Sequence, residues 1–314
     1  MKSIVNETYC SRIVEGDGWA VGELKGSRMG DYKWLGELRK NTLCGRFDGL
    51  RTYIDVVDKK NRTFGWHTEY DSSKDRRDDD WTRFPSYETA IKAFRETPEV
   101  FRSFTESDIK LKDWETAGND VEYGTTGDFL DIGRVMSGEP EAFGVMRDGN
   151  IINRFCSIIV NACLTWNVTK DEAEEKAKRI ARLVDMLEHN HVRCQVVAIW
   201  SDNVSHVEVT VKKYGDILDL DDLSVVFSAD LLRRTGFRFK ERSKTCEGGY
   251  GHVSLWGENA LKMFKDETAD HVITIDGFNG GNKSIRSTNE AFDRLEKQIA
   301  EKFDVGDNYN VEFC

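Results

Sequence analysis

The residue types best suited to chemistry are concentrated in the segment Leu231–Lys244, which contains two phenylalanines, Phe237 and Phe239. Its cations are Arg233, Arg234, Arg238, Lys240, Arg242 and Lys244. Alternation from Gly236 to Arg242 predicts a strand with cations on one face and rings on the other. Such a cation row can follow a phosphate backbone while aromatic side chains stack on bases, so the segment is a candidate nucleic-acid-binding site. The same alternation equally suits a strand whose rings fill the core and whose cations are solvated.

A second group of cations lies between Lys25 and Arg51, among glycines and aromatic residues. Its candidate binding residues are Lys33, Trp34, Arg39 and Lys40. A pliable backbone with cations and rings suits a protein that binds single-stranded nucleic acid. The glycines also suit an ordinary subdomain rich in loops.

A possible metal site follows a β-rich run, where Asn161-Ala162-Cys163-Leu164-Thr165 precedes a loop and a long helix. This arrangement resembles the first strand of von Willebrand factor A domains, which ends in Asp-x-Ser-x-Ser and holds a divalent cation. A later Ile275-Asp276-Gly277 is similar to another strand end of that family. Here Asn161 replaces the carboxylate and Cys163 a hydroxyl, although a hard cation prefers charged or carbonyl oxygens. The resemblance implies a von Willebrand A-like domain over 151–303 whose degenerate site holds no metal.

Signatures of catalysis are missing from the sequence. It contains neither GxSxG nor HExxH. The loop Phe278–Ser284 is rich in glycine but lacks the spacing of a phosphate-binding loop. We therefore expect a protein that is not an enzyme and that uses no cofactor. The alternative, an enzyme with an unrecognised site, would place that site in the loops Gly277–Lys283 and Cys246–His252.

The elements that must position these residues alternate between strands and helices in the second half of the chain. Strands are predicted at Ile151–Cys163, Arg193–Trp200, His206–Val211 and Val272–Ile275, the third of them half-exposed or at an edge. Helices are predicted at Thr169–His189, where Thr169 and Glu172 form a capping box, at Asp221–Thr235, which Gly236 ends, and at Gly257–Lys265 and Thr288–Phe303. This order predicts an α/β fold with a largely parallel sheet and flanking helices.

The first half of the chain has a less regular pattern. Residues 1–150 are expected to form an irregular α+β region, rich in glycine and tryptophan, that precedes the domain at 151–303. Within it Tyr53–Val57 is predicted to be a strand, and Ser86–Arg95 a helix capped by Ser86. The acidic and aromatic tail at 304–314 is either a frayed end or a peptide that binds a partner.

The composition limits the cellular compartment and the functional class that can be expected for the protein. The 314-residue chain carries a net charge of −11, so any nucleic-acid site must be a local basic patch. Its seven cysteines form no CxxC pair and several lie in apolar runs, which favours reduced thiols and a cytoplasmic protein. No signal peptide is recognisable, and no apolar run approaches the ~20 residues that span a bilayer, so no membrane partner is expected.

One further stretch, Asp128–Gly144, resembles a signature of uncharacterised bacteriophage proteins, in which Asp-Ile-Gly-Arg is followed by Gly-Glu-Pro-Glu. The matching residues are Asp131, Ile132, Gly133, Arg134, Gly138, Glu139, Pro140, Glu141 and, in the next strand, Asn161. The size, acidity and basic-aromatic segments are also similar to those of the single-stranded-DNA-binding RNA polymerase cofactors of podoviruses.

These resemblances imply a phage protein of the host cell cytoplasm that binds single-stranded DNA and recruits a phage RNA polymerase as a transcription cofactor. The alternative is a von Willebrand A-like scaffold for protein interactions that does not bind nucleic acid.

Overall fold

The computed structural model describes residues 5, 10–25, 43–58, 82–109, 121–126, 129–130, 132–146, 154–164, 168–189, 192–201, 205–241, 269, 271–275, 293 and 297–298. The strands in these ranges are β1 Cys10–Gly16, β2 Trp19–Leu24, β3 Leu43–Phe47, β4 Val121–Gly124, β5 Phe129–Leu130, β6 Phe143–Met146, β7 Arg154–Asn161, β8 Val192–Ser201, β9 Ser205–Lys212 and β10 His271–Ile275. The α-helices are α1 Leu50–Asp58, α2 Tyr87–Glu96, α3 Glu106–Ile109, α4 Ile132–Met136, α5 Lys170–His189, α6 Leu220–Val226, α7 Ala229–Leu231 and α8 Phe237–Glu241.

The main sheet has seven strands in the order β1-β2-β3-β9-β8-β7-β10. Parallel pairing joins β3 to β9, β7 to β8 and β7 to β10. Antiparallel pairing joins β1 to β2, β2 to β3 and β8 to β9. The α/β class predicted from the sequence is confirmed, whereas the sheet is mixed rather than largely parallel.

Strands from both ends of the described chain share this sheet. Strand β3, in the first 50 residues, pairs along its whole length with β9, from Leu43 opposite Ser205 to Phe47 opposite Val209. One hydrophobic core covers the face of the sheet on which Val21, Phe47, Ile158 and Val196 lie, and α1, α2, α5 and α6 contribute to it. Residues before and after position 150 are therefore packed into a common core.

Strand β9 differs from its prediction as a half-exposed or edge strand. It lies between β3 and β8, and most of its residues are buried, including His206 and Glu208. The alternation of polar and apolar types was misleading because the Nε2 of His206 lies 3.1 Å from the Oε1 of Glu208. Buried polar groups are tolerated when they bond to one another, so a polar face need not be a solvent face.

Two helices begin where their caps predict. The hydroxyl of Ser86 accepts a hydrogen bond from the Thr89 N–H at the start of α2. At the start of α5 the Thr169 N–H donates to Glu172 Oε2 at 2.6 Å, and the Glu172 N–H donates to Thr169 Oγ1 at 3.3 Å. Both predicted N-termini are confirmed, because a capping box satisfies helix N–H groups locally.

The strand predicted at Tyr53–Val57 is wrong, because these residues belong to α1. The buried positions Leu50, Tyr53, Ile54 and Val57 repeat at helical spacing. Their β-branched and aromatic types favour strands only weakly, and packing against the sheet overrides that preference.

Strands β4, β5 and β6 form a small antiparallel sheet in the order β4-β6-β5. Helix α4 lies between β5 and β6 in the sequence. Phe143 of β6 is opposite both Leu130 of β5 and Gly124 of β4. The signature-like stretch near Arg134 forms the helix and turn of this unit.

Candidate functional site

The basic segment is helical, so the strand predicted from Gly236 to Arg242 is wrong. A five-residue π-helix, Leu232–Gly236, continues directly into α8. Gly236 was predicted to end a helix, but it lies inside this continuous helical stretch. The preceding helix α6 instead stops at Val226, and Ser228 caps α7 by accepting a hydrogen bond from the Leu231 N–H.

Of the four cations in the described part of this segment, three are buried, so these four do not form a solvent-facing row. Arg234 has 0% of its surface exposed, and Arg233 and Lys240 are also buried. Phe237 and Phe239 are both interior. Arg238 is partly exposed, and its guanidinium lies 4.1 Å from the centre of the Tyr87 ring. The described part of the segment thus has the character of core, with one cation stacked on an aromatic ring.

A buried carboxylate explains why arginines can be interior here. Asp230 accepts hydrogen bonds from the backbone N–H groups of Arg83, at 2.9 Å, and Phe84, at 3.0 Å. Arg234 donates from Nη2 to the carbonyl of Phe84 at 2.7 Å. Burial raises the pKa of Asp230, and these N–H donors together with Arg234 act against that rise. The network ties the segment before α2 to the π-helix, which is a structural role.

The remaining predicted nucleic-acid-binding residues lie outside the described part of the chain. They are Arg242, Lys244, Lys33, Trp34, Arg39 and Lys40. The tail at 304–314 and the loops at 246–252 and 277–284 also lie outside the described part of the chain.

The strand end that resembles a von Willebrand A metal site does not fit a cation. The side-chain oxygen of Asn161 accepts a hydrogen bond from the Cys163 N–H at 3.0 Å. The ammonium of Lys176, a residue of α5 that is 2% exposed, donates to the main-chain carbonyl of Asn161 at 2.6 Å. A fixed positive charge beside these oxygens would repel a divalent ion. Among the described residues, no group of three His, Cys, Asp or Glu side chains is placed to hold a metal.

The buried pair of His206 and Glu208 was missed by sequence reasoning, which assigned His206 no role. The spacing of His206 and Glu208 could have indicated the pair, because residues two apart on a strand lie on the same face. Cys44 of β3 is opposite His206 in the register of the sheet. A hydrogen bond with Cys10, burial and the charge of Glu208 hold the pKa of the Cys44 thiol well above its usual range.

A second pair of thiols lies between neighbouring strands, where Cys156 of β7 is opposite Cys194 of β8. A hydrogen bond with Cys156 and burial raise the pKa of Cys194. The thiolate is the reactive form of cysteine, so the raised pKa makes the buried Cys194 thiol a poor nucleophile. The five cysteines in the described ranges are buried and unbridged.

A narrow cleft lies among α5, α6 and α7 and has room for about one water molecule. Its charged lining consists of Arg83, Lys170, Glu174 and Asp230. Arg83 forms an ion pair with Glu174, and Asp230 accepts the N–H bonds given above. Because Arg83 is paired with Glu174 and Asp230 accepts two backbone N–H groups, three of these four charged groups already have partners within the protein.

An exposed apolar surface stands out in the small sheet unit. It consists of Ile132, Val135 and Met136 of α4 and Phe143 of β6, and is called here the α4 patch. Ile132 is 67% exposed and Met136 is 84% exposed. Single exposed apolar residues are ordinary, whereas large contiguous apolar patches are typical of interaction surfaces.

Hydrogen bonds hold the α4 patch in a defined shape. After α4 the chain turns at Gly138, whose φ of 74° is left-handed and whose N–H donates to the carbonyl of Val135. Arg134 donates from Nε to the carbonyl of Glu141 at 3.1 Å and forms an ion pair with Glu139. These bonds close the turn onto the helix, so the apolar side chains project from a fixed base.

The fold and these sites define an α/β protein with buried polar clusters and one exposed apolar patch within its described ranges. The chain belongs to the DUF7192 family, a domain of unknown function, whose model matches residues 26–302. No curated protein and no solved structure matches the chain. None of the described helices is long and apolar enough to cross a membrane.

Proposed function

We propose that this protein is a non-enzymatic scaffold that binds another protein through the α4 patch and needs no metal to do so. The observation that carries the proposal is the exposed helical face of Ile132, Val135 and Met136. Contiguous apolar side chains on a rigid base are typical of protein-binding surfaces. A protein-interaction scaffold was the alternative function considered from the sequence. The burial of Arg233, Arg234 and Lys240 favours it over nucleic-acid binding through a row of exposed cations.

The scaffold itself is proposed to be von Willebrand A-like. In support, β7 is flanked by the two parallel strands β8 and β10, and β9 returns antiparallel to β8 as a hairpin. The long helix α5 lies between the parallel strands β7 and β8 in the chain, so the three elements form a βαβ unit. Lys176 in this helix supplies a positive charge at the strand end where that family holds its cation. Because the α4 patch does not include this strand end, partner binding is proposed to be independent of divalent ions.

The test is a comparison of three baits in extracts of the cells that naturally make the protein. The baits are the full chain, its Met136→Ser variant and its Ile217→Ser variant. Ile217 is 94% exposed and lies in the loop before α6, so its replacement changes apolarity equally but elsewhere. We expect a protein partner that is retained by Ile217→Ser, lost with Met136→Ser and unaffected by EDTA. Identical recovery with all three baits would contradict the proposal.

A second candidate is the single-stranded-DNA-binding transcription cofactor of a phage RNA polymerase. The supporting structural observation is Arg238, which is partly exposed and stacked on Tyr87. Arginine and aromatic side chains together bind single strands, and the affinity falls steeply with salt. Fluorescence anisotropy with a labelled oligonucleotide, using the full chain and Arg238→Ala, tests this candidate. Absence of binding at low salt would exclude it.

A further inference from the structure

We infer that the partner of the α4 patch presents an apolar stripe flanked by basic side chains. The inference rests on the proposed function and adds the chemistry of the partner to it. It concerns a protein surface rather than a nucleic acid or a second copy of this chain.

The apolar part of the inference comes from spacing. Ile132, Val135 and Met136 occur at i, i+3 and i+4 of α4, so they lie on one side of the helix. All three are exposed, as is Phe143 of β6, which follows α4 and its turn in the chain. A helix face of this kind docks against a complementary apolar stripe or groove, with the side chains acting as anchors.

The charged part comes from the turn that follows α4. Glu139 and Glu141 are both exposed there, next to the exposed Met136. Within the described residues 132–146 there are two acids, Glu139 and Glu141, and one cation, Arg134. Arg134 is engaged with Glu139 and with the carbonyl of Glu141. The rim of the patch is therefore acidic, and complementary potentials steer association and select partners.

The same charges disfavour the other occupants. A second copy would bring Glu139 and Glu141 against another acidic rim, in a chain whose net charge is −11. Like charges across an interface reduce affinity, and a polyanion would meet the same repulsion. A basic protein surface is the occupant that gains from both the apolar and the charged features.

The experiment uses two fluorescein-labelled amphipathic peptides of about 18 residues, long enough for helical structure. They share leucines at helical spacing, and their other positions are Lys in one peptide and Glu in the other. A third peptide keeps the lysines but replaces the leucines with glycine. Each is titrated into the full chain by fluorescence anisotropy at about 20 mM and about 300 mM NaCl, which changes the screening length severalfold.

We expect the Leu/Lys peptide to bind at least about tenfold more tightly than the other two at low salt. Met136→Ser should weaken it about tenfold, which corresponds to about 1.4 kcal/mol, because the variant removes apolar surface that binding would bury. Ile217→Ser should leave the affinity unchanged. Glu141→Gln should reduce the preference for Lys over Glu, and it preserves the turn because Arg134 bonds to the Glu141 backbone carbonyl.

Two results would overturn the inference. Equal binding of the Leu/Lys and Leu/Glu peptides, still sensitive to Met136→Ser, would refute the basic partner and leave the proposed function standing. Binding that ignores both Met136→Ser and Glu141→Gln, or no binding of either peptide, would also refute the inference. Failure of the proposed function itself is read separately, from the three-bait comparison. Circular dichroism melts of each variant confirm that the fold is retained.

Discussion

The ammonium of Lys176 donates a hydrogen bond of 2.6 Å to the main-chain carbonyl of Asn161, at the end of β7. The same ammonium lies 5.3 Å from the centre of the Phe227 ring of the segment that follows α6. One side chain of α5 thus contacts both the end of β7 and the segment that follows α6. This relationship links the fold to the absence of a metal requirement that we propose.

Lys176→Ala should destabilise the protein by about 2–4 kcal/mol, because it removes a charge-assisted hydrogen bond and leaves a cavity. The free energy of unfolding in urea is the measurement, and Lys213→Ala, at an exposed position, is a control expected within about 0.5 kcal/mol of wild type. The wild-type Tm should be the same in EDTA and in Mg²⁺. A Tm that rises with Mg²⁺ concentration would reveal a bound cation and contradict this account.

Asp230→Ala should cost about 3–5 kcal/mol of stability, since it leaves the N–H groups of Arg83 and Phe84 and the guanidinium of Arg234 without their buried acceptor and counter-charge. Urea unfolding measures the loss. Asp216→Ala, in the exposed loop before α6, is the matched control and should change little. Equal effects of the two replacements would show that the network is not important for stability.

Local signals explain what could be predicted from the sequence. The N-termini of α2 and α5 follow from Ser86 and Thr169, because the capping partners lie within three residues. The strands β7, β8 and β10 follow from apolar runs, but β10 was predicted to be buried and is an edge strand in which only Ile273 and Ile275 are buried. Each of these features is decided by neighbours in the chain, so a single sequence suffices to predict them.

Distant partners decide what could not be predicted. The alternation around Phe237 suits a strand, but Arg234 bonds to Phe84, 150 residues earlier, and the segment is a buried helix. Pairing of β3 with β9 likewise joins positions that no local pattern connects. The α4 patch was not predicted because isoleucine and methionine are usually found in cores. Only the fold shows that Ile132 and Met136 are exposed.

Gly22→Ala should destabilise the sheet by about 1–3 kcal/mol. A Cβ at Gly22 would lie 2.9 Å from the Cβ of Cys10 and 3.1 Å from a side-chain carbon of Ile13, closer than packed side chains allow. Gly215→Ala is the matched control, since a Cβ there meets nothing within 4 Å and its effect should be within about 0.5 kcal/mol. Thermal melting of both variants is the measurement, and equal Tm values would contradict the predicted clash.

Asp222→Asn should make the protein more stable at pH 7. Burial raises the pKa of Asp222, with the charge of Asp219 adding to it and Arg51 acting against it. The folded state therefore holds this proton more tightly than the unfolded chain, so stability falls as pH rises from about 4 through the folded pKa. Asp222→Asn removes this loss of stability with rising pH, and its gain in stability over wild type should vanish near pH 3.

Asp221→Asn should instead lower stability at pH 7, because Asp221 accepts a 2.6 Å hydrogen bond from Arg102. Melts between pH 3 and pH 7 would refute the argument if Asp222→Asn melted below wild type at neutral pH, since the attraction of Arg51 would then outweigh burial.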